Sequence, residues 1–279
     1  MNIDVLKRIR HIAFDMDGTI YSGKTLFPWT KEAFEIIEKL GIGYTYLTNN
    51  SSRSVRDYLT KIRALGLTAA EENVFSSASA TLAYINEHYP AVQRIFLLGT
   101  ESLKDEFRRA GYRILDSAST EEAEMVIAAF DTSLNYEDLC KTAWLVKQGL
   151  PYLATHPDRI CPTDQPTVLV DCGAVTACIE AATGRKPDKV PGKPDKAMLD
   201  GICAKHALKP EEIAMVGDRL YTDMEMARAA GAVGVLVLSG EATREDLERS
   251  GLKPEFVADN ILTFAKMLEH EFSLPQNPK

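Results

Sequence analysis

Two aspartates, Asp15 and Asp17, follow the apolar run Ile12-Ala13-Phe14 and precede Gly18-Thr19. A buried strand ending there delivers both carboxylates to its exposed C-terminal end. Thr48-Asn49-Asn50, Gly192-Lys193-Pro194, Gly217-Asp218 and Asp223 follow in that order along the chain. Carboxylates supply the hard oxygen ligands that a divalent cation takes, while hydroxyl, amide and ammonium groups suit phosphate oxygens. The set predicts chemistry on phosphate esters.

Each segment also has a plainer reading. Asp-Gly marks turns, and a carboxylate at a strand end is often simply solvated. An EF-hand loop starting at Asp15 fails, because its glycine is needed two positions after Gly18 and Leu26 stands where the bidentate glutamate belongs. Thr48-Asn49, after the run Tyr44 to Leu47, fits a helix cap as well as a phosphate site, since both use similar N–H geometry. Lys193 is no Walker lysine: the interval from Gly184 is too long and carries prolines. Gly217 allows close approach to Asp218, and Asp223 reads as a helix cap or a supporting group. At Gly173-Ala174-Val175-Thr176 a helix opens, where anion binding and ordinary helix initiation are equally open.

The elements that must position these groups follow from periodicity. Short apolar runs alternate with helical spacing: Ile12 to Phe14, then Ala33, Ile36, Ile37 and Leu40 capped by Thr30 and stopped by Gly41, then Tyr44 to Leu47, then Val55 to Leu65 stopped by Gly66. That rhythm marks βαβ units and a parallel sheet. A second series runs through strand Ile95 to Leu98, helix Leu103 to Ala110, strand Val126 to Ala129 and helix Tyr136 to Lys147. Strands Tyr152 to Ala154 and Val168 to Val170 and helix Ala174 to Ala182 complete it. The Gly/Pro-rich and charged stretch Thr183 to Pro191 closes that series as a linker. The first rhythm then returns with helix Ala197 to His206, strand Ile213 to Val216, helix Met224 to Ala230, strand Val233 to Leu238 and helix Leu262 to Leu268. The outer segments therefore read as one sheet interrupted by an insertion, and Pro275 to Lys279 as a loose tail.

Composition narrows the function classes. A chain of 279 residues, 45% apolar and 26% charged, is globular and large enough for two domains. Its net charge of −8 argues against nucleic acid, which is held by clustered Lys and Arg. Cys140, Cys161, Cys172, Cys178 and Cys203 lack C-x-x-C spacing and read as buried reduced thiols. No basic stretch leads into an apolar one at the N-terminus, and the longest apolar run, Val233 to Leu238, is too short to cross a bilayer. A cytoplasmic protein with no membrane partner is expected. His11, His88, His206 and His270 read as edge or surface residues, without paired metal spacing.

In its ordered motifs, Asp15-Met16-Asp17-Gly18-Thr19, Thr48, Lys193 and Gly217-Asp218 through Asp223, the chain resembles the haloacid dehalogenase (HAD) superfamily of phosphohydrolases. Leu47-Thr48-Asn49-Asn50-Ser51, Gly184-Arg185-Lys186-Pro187 and Gly217-Asp218-Arg219-Leu220-Tyr221-Thr222-Asp223 look like its NagD-like branch of nitrophenyl-phosphate, pyridoxal-phosphate and phosphoglycolate phosphatases. The resemblance covers nearly the whole chain. It implies an α/β fold: a three-layer Rossmann-like core from residues 1–81 and 186–279, with an inserted C2-type α/β cap from 82–185.

The resemblance further implies Asp15 as the nucleophile that becomes an aspartyl phosphate and Asp17 as the general acid and base. Lys193 bridges nucleophile and phosphate, and Thr48, Asn49 and Asn50 join it in binding phosphate, with Asn50 the weaker candidate. Mg²⁺ is implied on Asp15, the Asp17 backbone carbonyl and Asp218, with Asp223 supporting. His156, in Ala154-Thr155-His156-Pro157-Asp158, stands where relatives often carry Asn and is expected near the leaving group of the substrate. The partner implied is a small phosphorylated metabolite, and a cap-mediated homodimer is allowed. The rival activities are a phosphotransferase or mutase using the same aspartyl phosphate and a non-catalytic phosphometabolite-binding protein. A dehalogenase lacks the need for Asp17, and an ATP pump needs membrane helices.

Overall fold

The computed structural model describes residues 3–163 and 165–273. The tail Pro275 to Lys279 lies outside them. The chain divides into two compact units. One comprises residues up to Leu47, Ile62–Val74 and everything from Leu199; the other comprises Thr48–Lys61 and Phe75–Met198.

The first unit is built on a six-stranded sheet in the order Phe256–Ala258, Val233–Val237, Ile213–Gly217, His11–Asp15, Gly43–Thr48, Val74–Ser76. The pairings from Phe256–Ala258 across to Gly43–Thr48 are parallel. Strand His11–Asp15 is buried at every position, as are Ile213–Gly217 and Val233–Val237. Parallel strands covered on both faces read as unbroken apolar runs for this reason. The chain leaves His11–Asp15 toward one edge through Gly43–Thr48 and returns to its other flank through Ile213–Gly217. Such a reversal opens a crevice at the C-terminal strand ends, because neighbouring crossovers depart to opposite faces.

Phe34, on helix Thr30–Lys39, packs its ring 5.2 Å from Phe14, 4.9 Å from Tyr44 and 5.6 Å from Tyr46. This aromatic cluster seats the helix on the sheet. Thr30 does not cap it. Trp29 takes the cap position without a side-chain bond, and the buried Thr30 hydroxyl donates to the Ile20 carbonyl at 2.8 Å. A tertiary acceptor outcompeted the local one.

His11 is buried rather than at an edge, with Nε2 2.8 Å from the Thr45 hydroxyl and its ring 4.3 Å from that of His206. Burial, then the charges of His206 and Lys205, push its pKa from 6.5 down to about 4. The unfolded chain therefore takes up a proton that the folded chain refuses. Its contribution is complete above pH 6.5 and is lost as the pH falls toward 4, a change of roughly 3 kcal/mol. On acidification from pH 7 to 4.5 the wild type is expected to lose several degrees more in Tm than His11→Gln. Equal losses would show that His11 does not carry this acid sensitivity.

The second unit holds a four-stranded parallel sheet in the order Arg113–Leu115, Arg94–Leu98, Met125–Ala128, Tyr152–Ala154. Alternate side chains divide between its faces. Ile95, Leu97, Met125, Ile127 and Leu153 pack with Ile85, Leu103 and Phe107 from helices Ser77–His88 and Glu101–Arg109. Leu98, Val126, Ala128 and Tyr152 pack with Val146, Val175 and Ile179 from helices Tyr136–Lys147 and Cys172–Thr183. Three layers result, as the period-2 pattern of a sheet between helices requires. Leu169–Val170 is not part of this sheet; it forms a small antiparallel hairpin with Ile160–Cys161 and leaves Val168 and Val170 exposed.

Cys140 and Cys178 face outward from their helices and only Cys172 is buried, which corrects the expectation of five buried thiols; none is in a disulfide. No helix among the described residues is long and apolar enough to cross a membrane.

Candidate active site

In the first unit, the register Phe14↔Val216 aligns the ends of His11–Asp15 and Ile213–Gly217. Asp15 closes one strand and Asp218 directly follows the other. Asp223 comes back from the turn Leu220–Met224, and carboxylate oxygens of Asp15, Asp218 and Asp223 lie within 4.8 Å of one another. All three side chains are buried.

Glycines let the chain come this close. A Cβ at Gly18, where φ is +92°, or at Gly240 would collide with the Asp218 carboxylate, and one at Gly217 with Asp223. The hydroxyl of Thr19 is 3.4 Å from both Asp15 Oδ2 and Asp218 Oδ1. Asp218 Oδ2 accepts the Glu241 N–H at 2.7 Å, and Asp223 Oδ2 that of Arg219 at 3.1 Å. Burial first, then the negative charges of Asp15 and Asp223, push the Asp218 carboxyl up to about 8. Three buried carboxylates are crowded together, and a hard divalent cation is the group that relieves such crowding. The donor set fits one.

Asp17 stands apart from that cluster. Met16, between it and Asp15, is buried in the core. Asp17 is half-buried, and its Oδ1 accepts the Gly23 N–H at 3.2 Å from the hairpin Tyr21–Ser22/Thr25–Leu26. Gly18 is pinned on both sides, its N–H donating to Tyr21 O and its carbonyl accepting from the Ser239 hydroxyl, each at 2.8 Å.

The second unit carries the hydroxyl, amide and ammonium groups. Thr48 ends its strand, and its Oγ1 accepts the Asn50 N–H at 3.1 Å, which leaves the hydroxyl proton to donate elsewhere. The Asn49 side chain is turned to the backbone of Lys193. Its Oδ1 accepts the Lys193 N–H at 2.8 Å, and its Nδ2 donates to Lys193 O at 3.0 Å and to Asp158 Oδ2 at 3.2 Å. Lys193 is itself buried. Asn50 Oδ1 accepts from Ser52 N at 3.0 Å and Ser52 Oγ at 2.7 Å, so its side chain closes the loop.

His156 is fully buried, with Nε2 2.8 Å from Asp171 Oδ1 and Nδ1 2.9 Å from the Thr155 hydroxyl. Both ring nitrogens are engaged within the protein. The side chain thereby ties the Thr155 loop to helix Cys172–Thr183. Asp171 caps that helix, accepting from Cys172 N at 2.6 Å, and Gly173 N donates to the Asp158 carbonyl at 2.7 Å. The Gly173 N–H is thus taken by the Asp158 carbonyl.

Asp158, Asp171 and Thr19 were not among the expected functional residues. Thr19 had a signal in its place inside the first motif. Asp171 had one in preceding a helical run, and Asp158 had none, because its contact with Asn49 spans 109 positions.

A family model described as haloacid dehalogenase-like hydrolase matches residues 12–113, and a second HAD hydrolase-like model matches 190–264. The crystal structure of a 4-nitrophenylphosphatase from Thermotoga maritima superposes with a TM-score of 0.88 at 40% identity, covering 94% of this chain and 98% of that one. The sugar-phosphatase AraL of Bacillus subtilis is 27% identical over 92% of this chain and 93% of its own. A glycerol phosphate phosphatase from Mycobacterium tuberculosis, solved in complex with magnesium, has a TM-score of 0.85 at 25% identity, covering 97% of this chain and 79% of that one.

Proposed function

The chain belongs to the haloacid dehalogenase-like hydrolases, and from that membership we propose that it is a Mg²⁺-dependent phosphatase acting on small phosphate monoesters through an aspartyl phosphate on Asp15. The observation that carries this reading is the gathering of Asp15, Asp218 and Asp223 at adjacent strand ends. The names of the relatives, sugar phosphatase and nitrophenylphosphatase, support a sugar phosphate or similar metabolite as substrate.

Asp15 attacks phosphorus in line, and the bond to the ester oxygen breaks as Asp17 delivers a proton to it. Asp17, now a carboxylate, takes a proton from the water that attacks the aspartyl phosphate, which returns both side chains to their starting forms. The Thr48 hydroxyl, the Asn49 N–H and the Lys193 ammonium take the phosphoryl oxygens. Asp15, Asp218, Asp223 and the Asp17 carbonyl would hold Mg²⁺, which supplies charge neutralisation between carboxylate and phosphate when bound. The magnesium complex of the mycobacterial relative supports that choice of ion.

On this reading residues 82–185 form an inserted cap and 1–81 with 186–279 the catalytic core. The four-stranded sheet lies wholly inside the first segment, and the six strands of the larger sheet lie outside it. Connecting residues 48–61, 75–81 and 186–198 pack with the second unit. A cytoplasmic location accords with five cysteines outside any disulfide.

The test is phosphate release from a panel of sugar phosphates, nucleotides, pyridoxal phosphate, phosphoglycolate and glycerol phosphate, with and without Mg²⁺. Turnover of at least one class only with Mg²⁺ is expected. No release from any compound, or product formed only when an acceptor alcohol is supplied, would overturn the hydrolase reading.

A further inference from the structure

The Asn49 carboxamide makes three hydrogen bonds, and two of them are to one residue. It reads the N–H and the C=O of Lys193 together, as a neighbouring strand would, across 144 positions of sequence. The orientation of the amide is fixed by chemistry, because Oδ1 faces a donor while both Nδ2 protons face acceptors. With both backbone groups of Lys193 held, the direction of its Cα–Cβ bond is set as well.

The second Nδ2 proton is held by the Asp158 carboxylate. Asp158 rests on a firm support: its own carbonyl accepts the Gly173 N–H, and Thr155, three residues earlier, donates its N–H to Ala128 O at 3.0 Å. Gly192, beside the lysine, is pressed against the same loop. Its N–H donates to Thr155 O at 2.9 Å, and a Cβ there would sit 2.8 Å from His156 Cβ and 2.9 Å from Asn49 Oδ1. The arrangement is a rigid shelf, the loop 155–158, bearing one carboxylate that orients one amide, which orients one lysine.

We propose that Asp158 is a positioning residue that acts through the Asn49 carboxamide to aim the Lys193 side chain for phosphoryl transfer. This rests on the role given to Lys193 above. Neither Asp158 nor the Asn49 side chain needs to touch substrate for it, and the charge on Asp158 is not itself required: a neutral acceptor in the same place holds the amide in the same direction. Charge-assisted bonds are stronger, but positional error rather than bond energy sets the cost when a reacting group is misplaced.

The test is a double-mutant cycle between Asp158 and Lys193, read as kcat and KM separately and accompanied by Tm. Asp158→Ala is expected to lower kcat about 10-fold with little change in KM, and Asp158→Asn to restore it to within about 3-fold. In a Lys193→Ala background, Asp158→Ala should add less than about 2-fold, because residues acting as one unit are not additive. Asn49→Asp, which sets an oxygen against both the Lys193 carbonyl and Asp158, should cost more than Asp158→Ala; if it does not fold, the Asp158 pair still decides. Full additivity with Lys193→Ala, no rescue by Asp158→Asn, or a loss confined to KM would overturn the proposal while leaving the lysine role standing. An undiminished rate in Lys193→Ala alone would instead remove the lysine role, and the proposal with it.

Discussion

Asp15→Asn is expected to release phosphate at least about 1,000-fold more slowly than the wild type, with Tm unchanged or raised. Asparagine matches aspartate in shape and can still accept from the Thr19 hydroxyl, so the end of strand His11–Asp15 has no reason to move. What it lacks is a nucleophilic oxygen. A 1,000-fold loss corresponds to about 4 kcal/mol of barrier, which is in the range expected when a covalent step is removed and only binding and electrostatics remain. The stability prediction has the opposite sign for a reason in the same geometry. Asp15 is one of three buried carboxylates whose mutual repulsion contributes to the rise at Asp218, and neutralising one relieves the others. Phosphate release and a thermal melt of the same sample check both. A variant retaining a tenth of the activity would place the nucleophile elsewhere.

Removing the divalent cation is expected to have the second largest effect, and on two observables. A chelator should reduce turnover at least about 100-fold and Mg²⁺ should restore it, since a carboxylate does not approach a phosphate dianion without charge neutralisation. Binding to the folded chain alone also stabilises it. At a Mg²⁺ concentration about 100 times its Kd the gain is about 2.7 kcal/mol, or a few degrees in Tm for a chain of this size. In Asp218→Asn the Mg²⁺-dependent rise in Tm should shrink sharply, because one of the three clustered carboxylates is gone. Activity that survives the chelator, together with a Tm indifferent to millimolar Mg²⁺, would contradict the assignment of the cluster.

Much of this was legible because chemistry and periodicity coincide in the first motif. Ile12-Ala13-Phe14 is uninterruptedly apolar because its strand is covered on both faces, and the next residue that can carry charge is Asp15 at the exposed end. The same logic located Asp218 after Ile213–Gly217. Elements with few large apolar residues were missed. Helix Ser77–His88 is rich in Ser and Ala and starts on a Ser76 cap, and Arg244–Ser250 contains a single apolar residue, Leu247. Three-residue strands at Val74–Ser76, Arg113–Leu115 and Phe256–Ala258 are too short to show alternation.

What the sequence could not show was which polar side chains are consumed by the protein itself. Thr30 reads as a cap until Ile20 O is brought to its hydroxyl, and the sequence does not announce that Asp171 and Thr155 meet the two nitrogens of His156. Asn49 is read for its backbone N–H, and that its side chain is spent on Lys193 and Asp158 has no sign in the sequence. The Asn49 bonds span more than 100 positions and have no local signature, and tertiary partners override local preference wherever a buried donor must be satisfied.

The central claim is that the phosphoryl group passes through Asp15. Mixing the enzyme with Mg²⁺ and a ³²P-labelled substrate, quenching in acid within milliseconds and digesting the protein tests it directly. The account predicts acid-stable label on the peptide containing Asp15, chased off by excess unlabelled substrate and absent in Asp15→Asn. Label on another residue, or burst-free turnover with no protein-bound phosphate at any quench time, would contradict it.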